Sequence, residues 1–260
     1  MKNILNDITE IYKYKTMLYY LVKRNLRSRY KGSFLGFLWT LLTPLLQLVI
    51  YGFVFSVLFP NEIDNFSFFL LCGLLPWNYF ISSITTSVDS IVGNSNLVKK
   101  IYFPRLVLPL SNVITYFIDF LMGFAILLIV FILMGNQIGI TLIYFPLILI
   151  IQTILQCGLA FILCSLYVSM RDISYIVNIV TMMGFYLTPI VYSAVSFSSD
   201  IQLLLSLNPL TEIIEAYRAI LLYGEMPNIN IMYSLFVSII LLILGLYVFH
   251  KLNKTFAEEL

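Results

Sequence analysis

From Val107 to Met134 the chain carries a single charged side chain, Asp119. A helix needs about 20 mostly apolar residues to cross the hydrocarbon of a bilayer. Inside that hydrocarbon each backbone N–H and C=O must find its partner within the protein, which leaves helices and closed barrels as the only spanning structures. Barrel strands read as short alternating segments, whereas this run is long and continuous, so it predicts a transmembrane helix. Composition agrees: 60% of the 260 residues are apolar, 11% are charged and the mean hydropathy is +0.95. A soluble domain carries about 25% charged residues. There is too little charge here to cover a water-facing surface, and lipid must be the solvent for much of it.

Read by the same rule, the sequence predicts an all-α, polytopic membrane protein forming one domain with six transmembrane helices, at about 37–59, 66–88, 107–134, 141–168, 173–195 (interrupted by Pro189) and 231–249. The stretch 197–224 contains two apolar segments separated by Asn208-Pro209, each too short to cross. A buried helix pair or a re-entrant hairpin fits it, with Thr211 as the expected cap of the second helix. Charge orients the whole. Positive residues stay in the cytoplasm. Of the 15 basic residues only Arg218 falls outside the regions before span one, between spans two and three, between four and five, and after six. Both termini are therefore expected in the cytoplasm. The opening residues, charged up to Lys31, do not have the form of a signal peptide.

Several local patterns bear on mechanism. Met17 to Lys31 predicts an amphipathic helix: Leu18, Val22, Leu26 and Tyr30 recur at spacing four with Leu21 beside them, and Lys23, Arg24, Arg27 and Lys31 gather opposite. Such a helix lies in the membrane interface with its cations near anionic headgroups, as an anchor that fixes topology or as a gate for a lipid-linked cargo. The segment 93–105 is short, polar and basic, with Asn94 or Ser95 placed to cap a helix and Pro104 to end it; it reads as a solvated loop or as a docking element. Asp119 sits near the centre of span three, where a carboxylate costs about 2.5–3.5 kcal/mol on insertion scales. It must face the bundle or water, as a packing residue or as a cargo or proton site. Gln152 and Gln156, four apart on span four, share a helix face and either line a polar path or bond neighbouring helices. Arg171-Asp172 forms a local ion pair or an acidic helix start.

Aromatic residues make up 16% of the chain. Trp39, Tyr51, Trp77, Tyr79 and Tyr192 fall near span ends, as an interfacial belt or as faces against which sugar rings bury. Cys72, Cys157 and Cys164 lie in apolar runs without disulfide or metal spacing. No phosphate-binding glycine loop is present, and the single histidine, His250, stands at the end of span six. The sequence thus predicts no catalytic, cofactor-binding or metal site. Its net charge of +2 gives no reason to expect nucleic acid.

Blocks of residues in order along the chain resemble the polysaccharide-exporting permeases of the ABC-2 type. They are Arg29, Tyr30, Lys31, Ser33, Leu35, Gly36, Trp39 and Pro44; then Gly73, Pro76 and Trp77; then Asn94, Leu97, Lys99, Lys100, Phe103, Pro104, Arg105 and Leu108-Pro109-Leu110. Arg171-Asp172-Ile173, Thr188-Pro189-Ile190 with Tyr192, Asn208-Pro209, Tyr217-Arg218 and Phe256-Ala257-Glu258 complete the set. The resemblance implies a multi-pass protein of the cytoplasmic (inner) membrane, paired with a second copy of itself and with two nucleotide-binding ATPase subunits that hold the ATP and Mg. Its cargo would be an O-antigen, teichoic-acid or capsule-type glycan on an undecaprenyl carrier. Arg24, Arg27, Arg29, Tyr30 and Lys31 would belong to a gate helix. Asn94, Asn96, Leu97, Lys99, Lys100, Tyr102, Phe103 and Pro104 would form a coupling helix seated in the ATPase, and residues 200–224 a re-entrant pair on the outer side. Two other readings compete: an ABC-2 exporter of a drug or lipid, and a membrane-embedded acyl- or glycosyltransferase, for which His250 and Asp119 are the available reactive groups.

Overall fold

The structure, a computed structural model, describes residues 9–54, 65–135, 137 and 139–260; among them helices and turns account for the chain and no strand occurs. The helices are α1 (Lys15–Tyr30), α2 (Trp39–Phe53), α3 (Phe66–Val88), α4 (Ser95–Lys100), α5 (Val107–Leu133), α6 (Phe145–Ser169), α7 (Ile173–Leu187), α8 (Ser199–Ser206), α9 (Pro209–Arg218), α10 (Ile231–Leu252) and α11 (Phe256–Glu259). Among the described residues four stretches are long and apolar enough to cross a membrane: Phe66–Val88, Val107–Leu133, Ile140–Ser169 and Ile231–Leu252. Of the other two expected spans, the first is described as Trp39–Phe53, and residues 55–59 lie outside the described set.

The fifth differs from its expected range. α7 has 15 residues, about 22 Å of helix at 1.5 Å per residue, less than the roughly 30 Å of bilayer hydrocarbon. Thr188 leaves the helix in an extended conformation, because the ring of Pro189 excludes the helical region for the residue before it. A short 3-10 turn, Ala194–Ser196, follows.

The core is built around α3. Every residue from Phe68 to Trp77 is buried, as expected of a helix apolar on all sides, and α5, α6 and α9 surround it. The tightest pairing is α6 with α10. It depends on glycine: a Cβ on Gly158 would stand 2.6 Å from the backbone of Leu241, and one on Gly245 would stand 2.5 Å from the carbonyl of Gly158. Ser234 and Ser238 extend this narrow face, both fully buried. Two apolar helices in lipid gain little from a hydrophobic effect, so close van der Waals approach through small residues holds them together.

The stretch 197–224 forms two short helices, α8 and α9, followed by a π turn, Ala219–Tyr223, that Gly224 ends at φ +64. The cap of α9 is Asn208 rather than Thr211. Its Oδ1 accepts from the Leu210 N–H at 3.1 Å, and Pro209 occupies the first helical position, where its missing N–H costs nothing. α9 is pressed into the bundle against α3, α6 and α10, with Ile213, Ile214, Tyr217 and Arg218 all buried.

Candidate functional site

The segment between α3 and α5 turns through Val92–Asn94 into the six-residue α4. Its side chains divide by exposure. Asn96, Lys99, Lys100, Ile101 and Tyr102 face outward, Tyr102 being 89% exposed, while Val98 and Phe103 are buried and Asn94, Leu97 and Pro104 half-buried. Asn94 holds the capping position without capping: its Nδ2 donates to the Ser90 carbonyl at 2.8 Å, and its Oδ1 accepts from Arg24 at 3.1 Å. Just upstream, Asp89 is surface-exposed but partly desolvated, which raises its carboxyl from the ordinary value against the opposing pull of Arg171 and the Gly93 N–H.

α1 lies along α5. Leu21 and Val22 are buried, and Arg24, Arg27 and Lys31 stay exposed, so the amphipathic pattern is a physical division. Tyr30 closes the helix; its side chain lies outside the described set. Arg29 behaves differently from the other cations. It forms an ion pair with Asp119 and stands 4.7 Å above the Tyr116 ring. Asn25, one turn earlier on the same face, donates to Asn112 at 2.9 Å. Two residues singled out separately, Arg29 and Asp119, thus meet across the α1–α5 interface, at a cavity of about 130 Å³ that Trp39, Asn78 and Tyr79 also line. The sequence signalled the need but not the partner: Asp119 is the one acid in its span, and a carboxylate inside a bilayer needs a cation or a polar group.

A wider cavity, about 590 Å³, opens between α2, α3 and α7. Aromatic rings line it: Tyr51 stacks on Phe185 at 5.6 Å, Trp77 meets Phe185 edge-on at 5.9 Å, and Tyr186 follows at 5.4 Å. Between the rings stand Ser82, Thr85, Asn178 and Thr181. Trp39 is 44% exposed, while Tyr79 lies within the core, stacked on Phe120 at 5.3 Å with its hydroxyl 3.1 Å from that of Thr153. Around the mouth α7 presents an unusually bare surface: Tyr175, Ile176, Ile179, Val180, Met182, Met183, Tyr186 and Leu187 are each more than half exposed.

The two glutamines of α6 differ. Gln152 is fully buried, donates to the Pro76 carbonyl at 2.8 Å and accepts from the Tyr217 hydroxyl at 3.0 Å, which joins α6, α3 and α9 at the proline within α3. Gln156 is as deeply buried and, among the described residues, has no hydrogen-bond partner at either end of its amide. For Arg171-Asp172, the Asp172 side chain makes no capping bond, and Arg171 lies 5.2 Å over the Tyr167 ring.

In the sequence Arg218 stands out as the basic residue on the wrong side of the charge pattern and as part of the Tyr217-Arg218 block, with no role attached to it. It is fully buried and stacked 3.5 Å from the Phe69 ring centroid. It donates to the carbonyls of Pro189 at 2.6 Å and Ile190 at 2.8 Å and to Glu215 at 2.8 Å. A Cβ on Gly73 would approach its guanidinium to 3.0 Å, so glycine makes the room. The chain leaving α7 at Thr188-Pro189 has carbonyls without helical partners, and Arg218 supplies the donors.

An all-helical bundle with several membrane-length apolar helices, a basic segment between α3 and α5 and an aromatic-lined cavity is that of a multi-pass membrane permease. The family model of ABC-2 type transporters matches residues 16–222, and the chain belongs to that family. It is similar to the O-antigen export system permease protein RfbA of Myxococcus xanthus, 34% identical over 97% of this chain and 98% of the relative. It is also similar to a protein of the same description from Klebsiella pneumoniae, 35% identical over 94% and 95%. The polysialic acid transport protein KpsM of Escherichia coli is 24% identical over 87% of this chain and 89% of its own length. The chain is therefore the permease subunit of an ABC transporter, a transport protein of the inner membrane whose ATPase is a separate subunit. This sets aside the transferase reading.

Proposed function

We propose that this permease exports a lipid-linked surface polysaccharide, of the O-antigen, teichoic-acid or capsule type, across the cytoplasmic membrane. The observation that carries the reading is the cavity in which Tyr51, Trp77, Phe185 and Tyr186 alternate with the amide of Asn178 and the hydroxyls of Ser82, Thr85 and Thr181. A pyranose has apolar faces that bury against aromatic rings and a hydroxyl rim that needs hydrogen-bond partners; a drug-type apolar cargo would not need the second set. The names of the relatives, which concern O-antigen and polysialic acid, point the same way.

In this reading two copies of the chain pair, with the bare face of α7 and the open side of the cavity turned toward the path between them. Both termini and α4 lie in the cytoplasm, as the basic residues indicate, and the helix pair α8–α9 dips in from the outer side. The exposed Asn96, Lys99, Lys100 and Tyr102 seat in two ATPase subunits, which bind ATP and Mg, with Leu97, Phe103 and Pro104 fixing the segment beneath. α1, with Arg24, Arg27 and Lys31 exposed, meets the undecaprenyl-linked headgroup at the membrane surface.

Co-purification of the chain with its ATPase tests the reading. The Lys99→Ala/Lys100→Ala double variant and a deletion of 94–104 are expected to weaken the complex and the coupled ATPase rate. Normal assembly and hydrolysis in both would remove the coupling role.

A further inference from the structure

Five residues beyond α4, in the turn that leads into α5, Arg105 reaches across to the C-terminal end of the chain. Its Nη1 donates to the side-chain Oδ1 of Asn253 at 2.9 Å and also to the Asn253 backbone carbonyl. Asn253 is the residue on which α10 ends. The last carbonyls of a helix have no partner within it, and its C-terminal end attracts a cation, so Arg105 caps α10 with both donor and charge. The guanidinium also stands 6.0 Å from the ring of Phe256.

Phe256 is fully buried and packs edge-on against Phe249 at 5.5 Å, and Phe249 meets Phe161 of α6 at 6.2 Å. One turn on, Glu259 accepts from the hydroxyl of Ser169, at the end of α6. The residues after α10 thus fold back and join the start of α5, the end of α6 and the end of α10 in one clasp. α10 is in turn locked along α6 at the glycine crossing of Gly158 and Gly245.

We propose that Arg105 is a positioning residue for transport, carrying displacement of the α4 segment into α10 and, through the clasp of residues 253–260, into α6. The proposal rests on the reading of 94–104 as the coupling element. Without this link, movement of α4 would reach α6 and α10 only through the packing of α3 and α5 against α6. With it, three long helices receive the movement together, and the route is a charged hydrogen bond at a helix end that a single substitution removes.

The test uses the complete transporter, this chain with its ATPase, in lipid vesicles. ATP hydrolysis and glycan translocated are measured on the same sample, and the assembled complex is quantified. Arg105→Ala is expected to assemble and to keep the hydrolysis rate within about twofold, while glycan moved per ATP falls roughly tenfold, the scale of one lost hydrogen bond to a charged group. Arg105→Lys, which can still donate to the Asn253 carbonyl, should recover part of that ratio. An unchanged ratio in Arg105→Ala overturns the proposal, as does a loss of export and hydrolysis in proportion to a loss of complex. The Lys99→Ala/Lys100→Ala variant separates the two ideas: if it disturbs assembly or hydrolysis while Arg105→Ala leaves the ratio intact, the coupling segment stands and the role of Arg105 falls. Normal behaviour of both overturns the two together.

Discussion

Replacing Arg218 with methionine should destabilise the fold by about 2–4 kcal/mol, and the figure follows from its neighbours. Methionine reproduces the side chain only as far as Nε, so it loses both the donors and the guanidinium that stands over the Phe69 ring. The Pro189 and Ile190 carbonyls, now served at 2.6 and 2.8 Å, would be left in a buried site, each costing about 1–3 kcal/mol. The bond to Glu215 contributes little, because that side chain is 35% exposed and surface-accessible pairs have a median worth of about 0–1 kcal/mol. Part of the loss is offset, since a buried guanidinium itself costs several kcal/mol to dehydrate. Arg218→Lys should recover at most about half of the loss, because a point charge on a flexible stem does not present the planar fork that meets two carbonyls at once. Equilibrium unfolding of the purified chain in lipid–detergent mixtures measures both. A change below about 1 kcal/mol for methionine, or a lysine variant equal to the parent, would refute the view that this cation exists to serve the carbonyls released at Pro189.

Other substitutions probe other joints. Gly158→Leu should separate α6 from α10 and cost about 3 kcal/mol or more, the upper range for overpacking, because the obstacle is the backbone of Leu241; thermal unfolding would show it. Arg29→Ala should destabilise by about 1–3 kcal/mol, more than Asp119→Asn, because the first leaves a buried carboxylate without this cation and the second removes the charge that needed it; equal effects would contradict the pairing. Asn208→Ala should cost about 1 kcal/mol through loss of the α9 cap, while Thr211→Val should cost less. For Asp89 the folded state holds its proton more tightly than the unfolded chain, since partial desolvation raises the carboxyl above 3.8. Its contribution is therefore present below the ordinary aspartate range and lost as pH rises through the folded value; Asp89→Asn should flatten stability against pH in that window.

Helix class and the general course of the chain were legible because bilayer thickness turns hydropathy into length, as for Val107–Leu133 and Ile231–Leu252. The amphipathic division of α1 was legible for a related reason, since period and charge decide it; in the 94–104 segment the sequence did not separate the outward Asn96, Lys99, Lys100 and Tyr102 from the covered Leu97 and Phe103. What escaped was long-range. Pro189 ends α7 locally, but the carbonyls of Pro189 and Ile190 left open there are met by Arg218 of α9, 29 and 28 residues away. The meeting of Arg29 with Asp119 spans 90 residues, and periodicity carries no information at that distance. Gln152 and Gln156 share a face by spacing, yet one is satisfied at both ends and the other at neither, because only the neighbouring helices decide. Thr211 had the residue type of a cap, but Asn208 before a proline matched the requirement two ways.

In the function proposed for it, this permease, with a separate ATPase, moves a lipid-linked glycan through a path lined by Tyr51, Trp77, Phe185 and Tyr186. Vesicles holding both subunits and an undecaprenyl-linked glycan on the ATPase-facing leaflet would be given ATP, and the glycan reaching the opposite leaflet counted by a membrane-impermeant glycosidase. ATP-dependent appearance of glycan, abolished in a Tyr51→Ala/Phe185→Ala variant that still hydrolyses ATP, is the predicted result. Glycan that stays on its starting leaflet while ATP is consumed by the intact complex would contradict the account.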